Sequence, residues 1–317
     1  MKNRNPPKVA WDWHAPRSTD SERRRLIDLV SDVGFTILVI HRPESDLVEY
    51  AHRFDIRVVD VISPVVDDSV ASDNPNILQQ MTATEEQCAL IIRQSTTTER
   101  DQRLSHLWFP RYQGGNLLCL EHDESRSIIS ERVDRALEVA DGVALDGFGF
   151  KNHYACFCDI CSNLHGGQIE TIAEVSRRSL IDFSDHLYDR TKAAHPDAIL
   201  MNHVWPPFDP DPYYASDLRL DFCTQTISWF YQPTWSLDRV RLEAKEHAAR
   251  ERTERNRFVP FIGHYSDSYQ RRSPERIEAE LQIATEFGGG SFVFCTLQSI
   301  IDDERVREVV EHACLRG

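Results

Sequence analysis

Hydrophobic and polar residues alternate along this chain with two different periods. Eight short apolar runs, rich in β-branched and aromatic residues, are separated by longer stretches in which apolar residues recur at helical spacing. Strands that alternate with amphipathic helices are typical of βα units and a parallel sheet. The eight predicted strands cover residues 9–15, 35–41, 56–63, 142–148, 198–204, 220–230, 257–265 and 290–297.

Capping residues set the predicted helix boundaries. Ser21 or Asp20 can cap the helix after the first strand, and Gly34 can end it. Ser273, followed by Pro274, marks the start of the helix before the last strand. The other predicted helices cover residues 45–54, 125–140, 168–195, 236–255 and 302–315.

Eight strands, each followed by a helix, predict an α/β protein with a single (β/α)₈ TIM barrel domain over residues 1–317. The alternative is an open doubly wound sheet, which usually carries a glycine-rich phosphate loop after its first strand. No strand here is followed by G-x-G-x-x-G or G-x-x-x-x-G-K-[ST]. Residues 64–123 interrupt the rhythm and predict an extended insertion after strand three, with one helix over 84–94. Loops of this length are usually functional.

Charge and composition narrow the range of partners. The chain has 36 Lys and Arg residues against 51 Asp and Glu residues, and its formal net charge is -15. Nucleic-acid binders cluster basic residues against phosphates, so we expect no nucleic-acid partner. The N-terminus lacks the apolar core of a secretory signal, and no apolar window is long enough to span a membrane. We therefore expect a cytoplasmic protein with no membrane partner and with reduced thiols.

Three of the eight cysteines form a metal-binding pattern. Cys156, Cys158 and Cys161 make a C-x-C-x-x-C array, and Zn²⁺ prefers four ligands of this soft kind. Cys119 is our choice for the fourth ligand, and His122 or His153 is the alternative. A four-thiolate site has no open position, so the sequence predicts a structural zinc. Burial as small apolar side chains accounts for the remaining cysteines, which are Cys88, Cys223, Cys295 and Cys314.

Polar residues stand at the carboxyl ends of the predicted strands, where barrel enzymes place their active sites. Asp146 is the most informative, because its strand is otherwise apolar and a buried carboxylate is costly unless paired or used. Period-two alternation puts Asp12 on the side of its strand opposite Trp11, and if Asp12 faces the lumen His14 lies above it at the rim. The other strand-end residues are His41, Asp60, Asn202, His203, Gln225, Trp229, His264, Asp267, Thr296 and Gln298.

Several of these residues also have a structural interpretation. A single aspartate at a strand end often caps a helix or fixes a loop, which applies to Asp60 and Asp267. His41 is equally suited to anchoring a loop. Aromatic residues concentrate in three loops and would suit the apolar faces of sugar rings, although any one of them can be a core residue. They are Trp108, Phe109, Tyr112, Trp205, Phe208, Tyr213, Tyr214, Trp229, Phe230, Tyr231 and Trp235.

Residues 115–165 resemble the β-galactosidases of glycoside hydrolase family 42 and related uncharacterised glycosidase-like barrels. Those proteins carry a C-x-C-x-x-C cluster after strand four and a further cysteine after strand three, which together bind one zinc. Cys119, Cys156, Cys158 and Cys161 match this order and approximate spacing. The resemblance implies a (β/α)₈ fold and a structural zinc.

The resemblance stops at the catalytic residues. The family carries Asn-Glu at the end of strand four, with Glu as acid/base, whereas this chain has Asp146-Gly147. The family nucleophile is a Glu in strand seven, and the corresponding run here, FIGHYSD, contains none. The two-glutamate retaining mechanism therefore cannot be carried over to this chain.

The sequence as a whole favours a carbohydrate-active hydrolase of glycosidase type. Glycoside cleavage usually needs two carboxyl groups, and we assign Asp146 to one role and Asp12 or Asp267 to the other. Residues predicted to bind a small-molecule or oligosaccharide substrate are His14, Asn202, His203, Gln225, Trp229 and His264.

Two other functions fit the same residues. One is a metal-dependent hydrolase, isomerase or lyase in which His and Asp side chains hold a second metal ion. The other is a non-catalytic sugar-binding barrel. All three hypotheses are compatible with a homo-oligomer.

Overall fold

A closed barrel of eight parallel strands forms the centre of the molecule. The computed structural model describes residues 6–13, 17–63, 73–80, 111–112, 115–149, 156–166, 169–204, 215–228, 234–265 and 272–315. The strands are β1 (Lys8–Asp12), β2 (Ile37–Ile40), β3 (Arg57–Ile62), β4 (Gly142–Asp146), β5 (Ile199–Val204), β6 (Phe222–Thr226), β7 (Arg257–Gly263) and β8 (Phe292–Cys295). Each pairs with its sequence neighbours, and β1 also pairs with β8. The predicted (β/α)₈ fold is confirmed.

Within the described residues, α-helices follow every barrel strand except β5, which is followed by the 3₁₀ turn Ala215–Asp217. They are α1 (Asp20–Val33), α2 (Ser45–His52), α3 (Asp123–Leu137), α4 (Asp159–His165), α5 (Ile169–Ala194), α6 (Leu237–Ala249), α7 (Pro274–Phe287), α8 (Leu297–Asp302) and α9 (Glu304–Leu315). None of the helices in the described ranges is both long and apolar enough to cross a membrane.

The start of α1 differs from the prediction by one residue. Thr19, rather than Asp20 or Ser21, is the N-cap: its side chain accepts a hydrogen bond from the Glu22 amide at 3.2 Å, and the Glu22 carboxylate accepts one from the Thr19 amide at 2.9 Å. This reciprocal capping box needs an acidic residue three positions after the cap, and Glu22 supplies one only to Thr19. Gly34 ends the helix as predicted, with a φ of 92° that glycine adopts without strain.

Two later boundaries also differ from the prediction. Helix α6 ends at Ala249 rather than Arg255, and the residues that follow turn back towards β7. There the Glu251 carboxylate accepts a hydrogen bond from the Phe258 amide at 2.7 Å. The predicted terminal helix is preceded by a separate short helix, α8, because Asp303 is extended and breaks the two apart.

Strand alternation divides the apolar side chains into two layers. Those filling the lumen are Val9, Trp11, Ile37, Val39, Val59, Val61, Ala144, Ile199, Met201, Val259, Phe261, Val293 and Cys295. Their neighbours along each strand, such as Ala10, Val58 and Leu200, pack outward against the helices. Because side chains alternate with period two, Asp146 and His203 share the inner face, whereas Asp12, Asp60 and Asn202 share the outer face.

The described parts of the insertion after β3 pack against one another and against α3. Leu78 forms an antiparallel bridge with Leu118, and the Cys119 amide donates to the Ile77 carbonyl at 2.8 Å. Ile77, Leu117 and Leu118 are buried with the inner side chains of α3. This pairing fixes the position of Cys119. The predicted helix over residues 84–94 lies outside the described residues.

Candidate functional site

Asp146 ends β4 at the mouth of the barrel and is buried. Its Oδ1 lies 2.9 Å from Nδ1 of His203, the residue paired with it in register on β5. Both side chains are more than nine-tenths buried. A buried carboxylate needs such a partner, because desolvation penalises its charge unless hydrogen bonds compensate.

His203 extends this contact to a third strand. Its Nε2 lies 2.9 Å from the hydroxyl oxygen of Thr226 at the end of β6. The imidazole packs against the ring of Phe261, with centroids 4.1 Å apart, and against Trp11, with centroids 5.3 Å apart. Asp146, His203 and Thr226 therefore form a hydrogen-bonded chain across β4, β5 and β6, walled by aromatic rings.

Main-chain hydrogen bonds fasten the end of β4 to β5. The Gly147 amide donates to the His203 carbonyl at 2.8 Å, and the Asn202 side-chain amide donates to the Phe148 carbonyl at 2.6 Å. The Asn202 side-chain oxygen in turn accepts from the Thr224 amide at 3.1 Å. Asn202 thus orders the loop after β4 from the outer face, and its part in substrate binding remains a prediction.

The backbone at Gly147 explains the departure from the glutamate of the resembling family. Gly147 has a φ of 75°, in the left-handed region that side-chain-bearing residues rarely adopt. The turn after Asp146 therefore favours glycine over glutamate.

Two other strand-end aspartates face the outer layer of the barrel. Asp12 lies opposite Trp11, so the condition that would place His14 above it in the lumen is not met. The Asp12 carboxylate accepts a hydrogen bond from the Gln298 amide at 3.0 Å, near the start of α8. The Asp60 carboxylate accepts one from the Arg42 amide at 2.8 Å, and burial raises the pKa of Asp60. Both contacts are of the loop-fixing kind, and catalysis by Asp12 remains a prediction.

The remaining predicted binding residues divide into two groups. His264 is buried at the end of β7, where its carbonyl accepts from the Thr296 amide at 2.9 Å, and the Gln225 side-chain amide donates to the Thr226 carbonyl at 3.2 Å. These two hydrogen bonds place both residues at the carboxyl ends of their strands. Three of the predicted catalytic and substrate-binding residues lie outside the described ranges: His14, Trp229 and Asp267. The same holds for most of the loop aromatics, namely Trp108, Phe109, Trp205, Phe208, Tyr213, Tyr214, Phe230 and Tyr231.

Sequence reasoning missed several residues around Asp146. Thr226, Phe261 and Trp11 contact His203 directly, and Tyr265 packs against the lumen cluster, with its hydroxyl 3.7 Å from the Cys295 sulfur. The period-two alternation of each strand groups these residues on one face. The sequence alone does not say which face of each strand forms the lumen, so this grouping could not be used.

Four cysteines converge beside the barrel, in the loop after β4 and the insertion after β3. The sulfur atoms of Cys119, Cys156, Cys158 and Cys161 all lie within 4.8 Å of one another and are buried. That of Cys119 is 3.5 Å from Cys161 and 3.9 Å from Cys158. A tetrahedral ion with metal–sulfur bonds near 2.3 Å would separate its sulfurs by about 3.8 Å. The cluster can therefore hold a metal ion.

Neighbouring groups support this ion-binding geometry. The amides of Gln80 and Cys158 donate to the Cys156 sulfur at 3.2 and 3.3 Å, as outer-shell donors do in metal–thiolate sites. His122 approaches Cys158 with its Nε2 3.7 Å from the sulfur, outside the four-sulfur group. His153, the other alternative ligand, lies outside the described residues.

The four thiols lie close enough together to shift one another's pKa values. Hydrogen bonding to Cys156 raises the pKa of the Cys119 thiol, and hydrogen bonding from Cys119 lowers the pKa of Cys158. Four adjacent thiols cannot all lose their protons unless a cation lies among them, so metal binding would release protons.

No protein-family model matches this sequence. No curated protein matches it either. Solved structures match along nearly the whole chain. The PgaB (BpsB) glycoside hydrolase domain from Bordetella bronchiseptica is 12% identical with a TM-score of 0.63, covering 96% of this chain and 99% of its own.

Two β-galactosidases are similar over the barrel but longer. That of Halorubrum lacusprofundi is 13% identical with a TM-score of 0.63, and that of Marinomonas ef1 is 9% identical with a TM-score of 0.65. Each match covers 97% of this chain, which spans 57% of the first enzyme and 59% of the second. At such identities the likeness shows a shared barrel fold.

Proposed function

We propose that the chain is a carbohydrate-active hydrolase of glycosidase type that acts at the carboxyl ends of its barrel strands. The observation that carries this proposal is Asp146, a buried carboxylate at the end of β4 whose partner, His203, also faces the lumen. Aromatic side chains at the same mouth, Trp13 and Tyr265, suit the apolar faces of a sugar. The glycoside hydrolases named among the similar structures share the fold that presents these groups.

Cleavage of a glycoside would need a second carboxyl group besides Asp146. Asp267 and Asp12 are the residues we propose for it. The distance between the two carboxyl groups would set the outcome, about 5 to 5.5 Å for retention and about 6.5 to 9.5 Å for inversion. Asp12 would have to exchange its contact with the Gln298 amide for one with the substrate.

We propose further that the four-cysteine site holds zinc in a structural role. Four thiolates at these separations match its preferred ligand type and geometry, and they leave no position for a reacting water. The ion would join the loop after β4 to the insertion after β3. It would support the site without taking part in the reaction.

Substitution of Asp146 tests the proposed function. We expect Asp146→Asn to lower turnover on a responsive aryl glycoside by at least about 100-fold, because the amide can neither attack nor exchange a proton as the carboxylate does. The matched control is Asp60→Asn, which changes a buried strand-end aspartate on the outer face and should leave turnover within a few-fold of wild type. The assay is kcat on a panel of aryl glycosides, with metal content measured alongside.

Two results would contradict the proposal. Full turnover in Asp146→Asn would remove the residue from the chemistry. A second metal ion per chain, with activity lost on mild chelation, would favour the metal-dependent alternative instead.

A further inference from the structure

His203 uses both of its ring nitrogens within the protein. Nδ1 lies 2.9 Å from Oδ1 of Asp146, and Nε2 lies 2.9 Å from Oγ1 of Thr226. Each nitrogen of an imidazole makes one hydrogen bond in the plane of the ring, as donor or as acceptor. Neither nitrogen is therefore directed at a bound sugar in this arrangement.

We propose that His203 is a positioning residue that holds Asp146 as an ionised carboxylate, while Thr226 fixes the imidazole tautomer. This inference rests on the proposed function for the part that concerns turnover. It assigns His203 a role different from the direct binding of substrate hydroxyls.

The position of the shared proton follows from the roles of the two groups in the proposed contact. A carboxylate oxygen only accepts hydrogen bonds, so a carboxylate at Asp146 is paired with a proton on Nδ1 of His203. The neutral ring then has a lone pair on Nε2, which accepts the Thr226 hydroxyl proton. A hydroxyl that donates in this way favours the Nδ1–H tautomer, the form that can donate to Asp146.

The surroundings hold the ring in this orientation. Phe261 packs against the imidazole at an interplanar angle of 30°, and Trp11 packs against it at an angle of 57°. On the main chain, the Gly147 amide donates to the His203 carbonyl at 2.8 Å. The His203 side chain thus aligns the Asp146 carboxylate, while the main-chain contact holds together the ends of the two strands that carry these residues.

An ionised Asp146 restricts its chemical role. It can attack the anomeric carbon or take a proton from the attacking water. In either case the bond from that carbon to the leaving oxygen breaks, and a separate acid must give that oxygen a proton. Asp146 would therefore be the nucleophile or base, and the acid would be another residue.

The tautomer can be measured without any substrate. In the full chain labelled with ¹⁵N-histidine, the His203 signals are those lost in His203→Asn. We expect long-range ¹H–¹⁵N spectra to show the Nδ1–H tautomer in the wild type, and a shift towards Nε2–H in Asp146→Ala, which removes the acceptor. A wild-type Nε2–H tautomer, or no change in Asp146→Ala, would overturn the inference.

Two substitutions of His203 test the same idea through kinetics. The amide of His203→Asn can donate from near the Nδ1 position, whereas His203→Leu has no donor. We expect His203→Leu to lose about 100-fold in kcat with little change in KM, and the acid side of its pH profile to move to higher pH. We expect His203→Asn to recover much of that loss. A raised KM with unchanged kcat in both variants would identify a substrate-binding residue and overturn the inference.

Control measurements distinguish a variant that folds poorly from one that has lost function. Melting temperature and metal content are measured for each variant, and Thr226→Val offers a milder change if the His203 variants fold poorly. We expect Thr226→Val to show a mixture of tautomers, and a wild-type spectrum in that variant would contradict the part assigned to Thr226. If the wild type hydrolyses no glycoside, the proposed function fails, while the tautomer measurement still decides the inference about His203.

Discussion

At the scale of single residues, Asp146 and Asp60 are both buried aspartates near the ends of neighbouring barrel strands, but their side chains meet different partners. Asp60 faces the helices and accepts a hydrogen bond from the Arg42 amide, which fixes the loop after β2. Asp146 faces the lumen and meets His203, which itself belongs to a longer hydrogen-bonded chain. The difference lies in the face that each side chain occupies.

His247 makes the stability of the protein depend on pH. It is buried on α6, and burial, with a smaller contribution from the Arg250 cation, lowers the pKa of His247 to about 3, although the Glu243 carboxylate lies 3.7 Å from its Nε2. The unfolded chain binds this proton near pH 6.5 and the folded chain does so only near pH 3. Stability is therefore fully present above about pH 6.5 and is lost as pH falls towards 3.

We expect the free energy of unfolding to fall by about 2 kcal/mol between pH 6.5 and pH 5 on account of His247. Urea titrations at the two pH values measure this change. His247→Leu should flatten the dependence, and the matched variant His195→Gln, at an exposed histidine, should keep it. An unchanged pH dependence in His247→Leu would show that other groups cause it.

At the scale of elements, β4 and the loop after it form one unit of the site. Gly142 begins the strand so close to β5 that an added Cβ would lie 2.3 Å from the Ile199 carbonyl oxygen. Gly147 ends it in a left-handed turn. Further along the chain, Cys156 and Cys158 precede the short helix α4, and Cys161 lies within it. The His165 ring, 2.9 Å from the Cys156 carbonyl, ties the end of α4 back to the cluster. A metal ion would hold this unit from its far side.

Zinc content tests the role of the cysteine cluster. We expect one zinc per chain in the wild type and loss of that ion in Cys119→Ser. The melting temperature of Cys119→Ser should also fall, because the free energy of metal binding stabilises the folded state at such sites. Cys223→Ser is the matched control, since it makes the same change at a buried cysteine outside the cluster. Metal analysis and thermal unfolding provide the measurements. Equal zinc in the two variants would contradict the assignment.

At the scale of the whole molecule, closure of the barrel couples the ends of the chain. Strand β1 pairs with both β2 and β8, so the sheet has no free edge. A group of charged residues also joins α7 to the segment after β6. The Glu280 carboxylate on α7 contacts Arg272 and Arg276, and Arg272 donates a hydrogen bond to the Ser228 hydroxyl at 3.0 Å. We propose that residues 1–317 form a single domain, with the insertion as part of it.

A single domain predicts one cooperative unfolding transition. We expect urea unfolding curves from far-ultraviolet and near-ultraviolet circular dichroism to coincide, because the barrel cannot lose one strand without exposing two edges. The metal-loaded full chain is the sample. Two separated transitions would indicate that the insertion, or another part, folds independently.

The sequence by itself determined the number and order of the barrel strands, the end of α1 at Gly34 and the cysteine spacing. These features depend on local periodicity, on backbone freedom at single residues and on ligand type, all of which can be read without neighbours. The capping residue of α1 was also available, since Thr19 and Glu22 stand at the spacing of a capping box.

Only the tertiary structure decided which strand-end residues meet. Alternation gives each strand two faces, but the lumen face depends on which side the helices cover and on the stagger between neighbouring strands. For that reason Trp11 rather than Asp12 faces inward, and Thr226 and Phe261 reach His203. Their contact joins residues far apart in the chain, which no local pattern records.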